Sequence, residues 1–199
     1  MNNQVILVTG AGGFIGRQVC KSLRAMGMCV YGLSRRVSLG DGGELIGDVK
    51  SVDASLLKRL QIDTIVHCAG LTPRSNRDAN SPIFECNVSD TEHLGRQAII
   101  AGVKRFVFIS SAKVLGEFTS KGDVFCQHTT PFPRTKYASS KLASERVLER
   151  LAFEADMVTV ILRPPVVYGL EALVQRALGL NTLHLFSYYA SREGFTRSG

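Results

Sequence analysis

Tyr137 and Lys141 lie four residues apart in Tyr-Ala-Ser-Ser-Lys, and Ser111 precedes the tyrosine by 26 residues. Residues four apart on a helix share a face, so the Lys141 ammonium is expected beside the Tyr137 phenol or a sugar hydroxyl next to it. An alcohol, a phenol and an amine arranged in this way can pass a proton to or from a substrate oxygen. An ordinary phenol titrates near pH ~10, and bringing it into use near neutrality takes about 3 units, or about 4 kcal/mol. One cation at ~4 Å in an effective dielectric of ~20 supplies about 4 kcal/mol. The spacing therefore predicts a phenol held acidic by Lys141.

A second group of residues sits near the N-terminus. Gly10-Ala-Gly-Gly-Phe-Ile-Gly16 follows the apolar run Val5 to Thr9 and opens a helical stretch. That is the context of a dinucleotide-binding turn: Gly10, Gly13 and Gly16 permit a tight bend and close approach to a pyrophosphate, and the helix N-terminus offers oriented N–H groups. The next apolar run ends Leu33-Ser34-Arg35-Arg36, with no acidic residue there to hold the ribose 2′-hydroxyl of NAD. Arginine accommodates a 2′-phosphate, so NADP is favoured over NAD, although a solvated loop also accounts for these arginines. Gly47-Asp48-Val49 offers a carboxylate to the adenine amino group, or else forms a turn.

These residues need a scaffold that brings them together. Apolar, β-rich runs at Gln4 to Thr9, Met28 to Leu33, Glu44 to Val49, Thr64 to Cys68, Arg105 to Ser110 and Met157 to Leu162 alternate with helical stretches. The helices are expected at about Gly13 to Met26, Asp53 to Leu60, Ile83 to Gly102 and Thr135 to Phe153. Such alternation predicts an α/β fold, a doubly wound parallel sheet of Rossmann type. Phe106-Val-Phe-Ile109 has no polar alternation, as expected of a central strand covered on both sides. Leu71 to Pro82 and Gly116 to Arg134 read as loops after strand C-termini, the edge where ligands bind in such sheets.

Bulk properties narrow the class further. A chain of 199 residues suits one α/β domain, or one plus part of another, burying about 70% of its unfolded surface. The five cysteines are odd in number and scattered, which argues against a disulfide framework or a zinc site and for a reducing cytoplasm. No signal peptide and no apolar run of bilayer-spanning length is present, so no membrane partner is expected. The formal charge of +7 is spread along the chain rather than clustered with aromatics, which argues against nucleic acid and is compatible with a diphosphate-bearing substrate. His67, ending an apolar run, reads as a satisfied core histidine, and His93, His128 and His184 lack metal-ligand spacing, so no metal is expected. Arg74 and Arg77 could meet a phosphate, or simply belong to a polar loop.

Six ordered segments carry a family resemblance: Val8-Thr-Gly-Ala-Gly-Gly-Phe-Ile-Gly16, Ile65-Val-His-Cys-Ala-Gly70, Asn87-Val88, Gly102 to Ser111, Tyr137 with Lys141, and Leu162-Arg-Pro-Pro-Val-Val-Tyr-Gly169. Together they resemble the extended short-chain dehydrogenase/reductases, and within them the NAD-dependent epimerase/dehydratase family, on its UDP-glucose 4-epimerase-like and 4-keto-sugar reductase-like side. The resemblance covers about residues 4–169. It implies that Ser111 hydrogen-bonds the reacting sugar oxygen, that Tyr137 exchanges the proton, and that Lys141 binds the nicotinamide ribose. It also implies cofactor contacts from Phe14 and Ile15 in the glycine turn, from Ala69 and Gly70 under the adenosine and ribose, and from Pro164. Asn87 would fix the central helix and the loop beside the cofactor.

Two departures accompany the resemblance. Leu115 stands where a tyrosine is common in the family's Val-Tyr-Gly segment, and no family motif is recognisable after Gly169. The expected organisation is a cofactor domain over residues 1–169 and a truncated remnant of the substrate lobe over 170–199. Within the latter, Leu173 to Leu180 is expected to form a helix, and Phe186, Tyr188 and Tyr189 would favour association if they found no core, so a homodimer is among the expected states. The resemblance implies a nucleotide-sugar epimerase or reductase. The alternatives are a catalytically silent dinucleotide-binding protein and a reductase of small non-nucleotide carbonyls.

Overall fold

The computed structural model describes residues 4–35, 43–72, 82–119, 122–165, 167 and 187–190. Ile6, Leu7 and Val8 are all buried although successive side chains on a strand point in opposite directions, so that strand is covered on both faces. In chain order the elements are β1 (Val5–Thr9), α1 (Phe14–Ala25), β2 (Cys29–Ser34), β3 (Glu44–Ile46), α2 (Ala54–Arg59), β4 (Thr64–His67), α3 (Ile83–Ala101), β5 (Arg105–Ile109), α4 (Lys136–Glu154), β6 (Val158–Arg163) and β7 (Ser187–Ala190). Across the sheet they run β3-β2-β1-β4-β5-β6-β7. The first six are parallel; β7 joins antiparallel, with Ser187 opposite Arg163. This is a Rossmann-type doubly wound α/β fold, and the chain reverses its direction of strand addition between β1 and β4. Leu173 to Leu180 and Phe186 lie outside the described residues.

Helices lie on both faces. On one, Leu57 of α2, Leu94 and Ala98 of α3 and Leu148 of α4 pack on Leu7, Ile65, Phe106 and Phe108. On the other, Cys20, Val19 and Leu23 of α1 pack on Ile6, Val8, Val30 and Val66. Coverage of β5 differs from expectation. Phe106 and Phe108 are fully buried, but Val107 and Ile109 are only half-buried, because among the described residues the helix on their face is α1, which is centred on the other side of β1 and β4.

The third strand is shorter than the apolar run that predicts it. It stops at Ile46 because the Asp48 carboxylate accepts the Lys50 N–H at 2.9 Å and caps a single 3-10 turn, Val49–Ser51, so Asp48 and Val49 leave the ladder. A second such turn, Ala112–Val114, follows β5 directly. Register then aligns the carboxyl ends: Thr9 opposes His67, His67 opposes Phe108, and Ile109 opposes Leu162. The segments after those ends share one edge.

Candidate active site

The glycine turn comes first because backbone packing dictates it. Gly10 has φ +70°, and a Cβ there would lie 2.7 Å from the Ala69 nitrogen; a Cβ on Gly16 would collide with the Gly10 carbonyl. Only glycine allows both contacts: the first presses the turn after β1 against the loop after β4, and the second presses α1 against that turn. Gly13 is the N-cap of α1 without a side-chain cap, and no acidic residue occupies the first turn. Phe14, 39% exposed, and half-buried Ile15 begin that helix. Ser34 ends β2 within 3.3 Å of where a Gly12 Cβ would stand, and exposed Arg35 follows it. Arg36, Arg74 and Arg77 lie outside the described residues.

A buried hydrogen-bond chain joins this turn to the helices. Thr91 Oγ1 donates to the Asn87 carbonyl at 2.8 Å and so accepts from His67 Nε2 at 3.2 Å; His67 Nδ1 in turn accepts from Thr9 Oγ1 at 2.6 Å. Thr9 Oγ1 accepts the Ala69 N–H at 3.3 Å. The bonds leave His67 in the neutral Nε2–H tautomer. Burial, aided by Lys141, lowers it from 6.5 to about 3. It is the satisfied core histidine that its position in an apolar run suggests.

Asn87 connects the remaining parts. Its Oδ1 accepts the Leu71 N–H at 2.7 Å, and its Nδ2 donates to the Leu71 carbonyl and to Ser140 Oγ, each at 3.0 Å. One buried amide thus ties α3 to the loop after Gly70 and to α4. Thr135 caps α4, its hydroxyl accepting the Ala138 N–H at 3.1 Å, and this sets where Tyr137 enters the first turn.

Ser111, Tyr137 and Lys141 meet at the same edge. Ser111 caps the turn after β5, its hydroxyl accepting the Lys113 N–H at 3.3 Å, and it stands near enough to the Tyr137 phenol to lower it. Lys141 is 4% exposed, with Nζ 4.2 Å from the centre of the Phe108 ring and 3.7 Å from where a Gly70 Cβ would be. Burial lowers its ammonium from 10.5 to about 8, against the opposing pull of Cys68 and Glu145. The Cys68 thiol is itself pushed up to about 12 by burial.

The acidity of the phenol differs from the expectation built on spacing. Burial raises Tyr137 above its ordinary value, and the influence that lowers it is the Ser111 hydroxyl, not the Lys141 charge. The ammonium is directed over Phe108, and desolvation of the phenol outweighs the help it receives.

One further residue belongs to this edge although its sequence context did not single it out. Glu145, 1% exposed, accepts from Arg163 Nε at 3.0 Å and Nη2 at 2.6 Å and from the Ser110 hydroxyl. The available signal was a glutamate one turn beyond Lys141 on the same helix face, and an arginine ending an apolar strand. Pro164, the next residue, accepts the Ala112 N–H at 2.8 Å through its carbonyl. Leu115 is 3% exposed and packs with Val114 and Leu142. Among the described residues no group of three His, Cys, Asp or Glu side chains could hold a metal ion, and no helix is long and apolar enough to cross a membrane.

A glycine turn at the first strand–helix junction, with a serine, a tyrosine and a lysine gathered at the same sheet edge, defines a dinucleotide-binding domain of the dehydrogenase type. Comparison with known proteins agrees and is more particular. The chain belongs to the NAD dependent epimerase/dehydratase family of extended short-chain dehydrogenase/reductases, which it matches over residues 6–184. It is 35% identical over 170 residues to a UDP-glucose 4-epimerase of Vibrio cholerae, covering 82% of this chain and 52% of that protein. To a 3 beta-hydroxysteroid dehydrogenase/Delta 5-->4-isomerase of Mycobacterium tuberculosis it is 30% identical over 175 residues, covering 82% and 47%. Among solved structures, MoeE5 in complex with UDP-glucose and NAD superposes with a TM-score of 0.71 at 34% identity, over 79% of this chain and 53% of that one. The chain therefore spans about half the length of these relatives.

The residues present fit a dinucleotide. The N-terminus of α1 has no side-chain cap, and Gly10 and Gly16 leave no room for a Cβ, so the turn presents bare backbone and a helix N-terminus, the arrangement a pyrophosphate requires. Asp48 is exposed, but its carboxylate already accepts a backbone N–H, so it would serve an adenine amino group through its remaining acceptor capacity.

Proposed function

We propose that this chain is the cofactor-binding part of an NAD(P)-dependent nucleotide-sugar epimerase or 4-keto-sugar reductase. Residues 1–169 would form the cofactor domain and 170–199 part of a substrate-binding lobe. The observation that carries this reading is the placement of Ser111, at the end of β5, and of Tyr137 and buried Lys141, on α4, at the sheet edge that also holds the glycine turn.

A bound nicotinamide would supply the hydride chemistry. Gly10, Gly13, Gly16 and the first residues of α1, Phe14 and Ile15, would hold the pyrophosphate. Ser34, Arg35, Arg36, Asp48 and Val49 would meet the adenosine end, and Ala69, Gly70, Asn87 and Pro164 would line the approach to the ring. Lys141 would hydrogen-bond the nicotinamide ribose. Ser111 would hold the reacting sugar oxygen while Tyr137 exchanges its proton. A phenol kept protonated by burial is suited to donate to a ketone oxygen, the half-reaction that epimerase and reductase have in common. At the adenosine end, arginine without a carboxylate after Ser34 supports NADP, whereas the relative MoeE5 was solved with NAD.

A second reading, reduction of a non-nucleotide carbonyl, draws on the similarity to the steroid dehydrogenase/isomerase. Chromatographic analysis of the products formed from UDP-sugars and from steroid or small keto substrates, with oxidised or reduced cofactor supplied, separates the two, because an epimerase returns its cofactor unchanged. Turnover of UDP-sugars alone supports the first reading, and turnover of the other carbonyls alone replaces it with the second.

A further inference from the structure

Tyr137, Lys141 and Glu145 follow one another at four-residue intervals along α4 and so share a face. The first two belong to the proposed site, and the third is buried more completely than either. Its two carboxylate oxygens receive three donors: Arg163 Nε and Ser110 Oγ on Oε1, and Arg163 Nη2 on Oε2. Those donors come from the ends of two adjacent strands. Arg163 is the last residue of β6, and Ser110 is the first residue after β5 and the immediate neighbour of Ser111.

Backbone bonds complete the arrangement. The Ser110 N–H donates to the Leu162 carbonyl at 2.7 Å, and the Ala112 N–H donates to the Pro164 carbonyl at 2.8 Å. Ser111 is thus held by the residue before it and the residue after it, and the Glu145 carboxylate joins that double anchor to the helix bearing Tyr137. An ion pair is a poor way to stabilise a core, because desolvating two charges offsets their attraction and apolar replacements are often equally stable. Its geometric effect is harder to replace: directional bonds fix where Ser111 stands relative to α4.

We infer that Glu145, through Arg163 and Ser110, is the positioning residue that sets where Ser111 stands relative to Tyr137 on α4. The inference rests on the proposed Ser111–Tyr137 site but concerns residues to which that reading gives no role. It needs no cofactor or substrate, because the arrangement it describes is within this chain.

The test is the titration of Tyr137, read as near-ultraviolet phenolate absorbance after subtraction of a Tyr137→Phe spectrum. Ser111→Ala provides the reference, since loss of the hydroxyl that lowers the phenol moves its midpoint upward. Two perturbations of the anchor are compared with it. Ser110→Ala removes one donor and leaves the ion pair intact; the double change Glu145→Leu with Arg163→Met removes both charges together and leaves neither unpaired. Each is expected to fold and to move the Tyr137 midpoint upward, by no more than Ser111→Ala does. Neither should move it further in the Ser111→Ala background, the non-additivity expected of residues acting through one group. Folded variants that titrate at the wild-type midpoint while Ser111→Ala does not would overturn the positioning role and leave the site reading intact. An unmoved midpoint in Ser111→Ala itself would overturn both.

Discussion

Methionine in place of Lys141 should make the folded chain more stable while removing the amine from the proposed site. The lysine is 4% exposed, and burial takes its ammonium from 10.5 down to about 8. That difference, roughly 2.5 units at about 1.4 kcal/mol each, corresponds to about 3 kcal/mol spent on keeping the charged form inside at neutral pH. Below pH 8 the folded and unfolded chains both hold the proton, and the cost is constant. Between about 8 and 10.5 the unfolded chain keeps a proton that the folded chain has released, so stability rises with pH through that window. The contact of Nζ with the Phe108 ring, 4.2 Å from its centre, returns about 0.5–2 kcal/mol. Lys141→Met should therefore gain roughly 1–3 kcal/mol at pH 7, or about 2–12 °C in Tm for a chain of this size. Urea unfolding of both proteins at pH 7 and at pH 10 measures the gain and its pH dependence. The gap should be large at pH 7 and should narrow as the wild-type lysine loses its proton. The buried thiol of Cys68 is present in both proteins, so comparing them leaves the contribution of the lysine. A variant less stable than wild type at pH 7, or a gap that does not narrow with pH, would refute the reasoning.

Other perturbations probe other parts of the site. His67, neutral in the fold and lowered from 6.5 to about 3, takes up a proton in the unfolded chain first, so it should erode stability as pH falls from 6.5 towards 3. Its full effect is about 5 kcal/mol, and His67→Phe, measured by urea unfolding at pH 7 and pH 4, should lose most of that slope. Asn87→Ala leaves the Leu71 N–H and carbonyl without their partner and should lower stability by about 2–4 kcal/mol in the same assay. Gly16→Ala drives a methyl into the Gly10 carbonyl, so protection of the chain against thermal unfolding by NAD or NADP should disappear.

Much of the scaffold was legible in the sequence because its signals are local. The apolar runs of β1, β4 and β6 and the helix that opens after Gly13 fall where composition and the glycine turn put them, within a residue or two. Where local signals compete, the sequence was less informative. Val49 extends the third apolar run, but the Asp48 carboxylate turns the chain first. Spacing brought Tyr137 and Lys141 to one helix face but could not tell that the ammonium would sit over Phe108, or that burial would dominate the phenol. The Glu145 anchor left only a faint signal, its place one turn beyond Lys141, for a different reason. Its partners are 18 and 35 residues away in sequence, and no periodic pattern pairs a helix residue with the ends of two strands.

The proposed chemistry requires a dinucleotide seated at the glycine turn beside Tyr137. Calorimetric titration of the chain and of Tyr137→Phe and Gly16→Ala with NADP and NAD measures whether it binds there. The prediction is saturable binding of one cofactor per chain, retained in Tyr137→Phe and lost in Gly16→Ala. Absence of binding by the wild-type chain, or equal binding by Gly16→Ala, would contradict it.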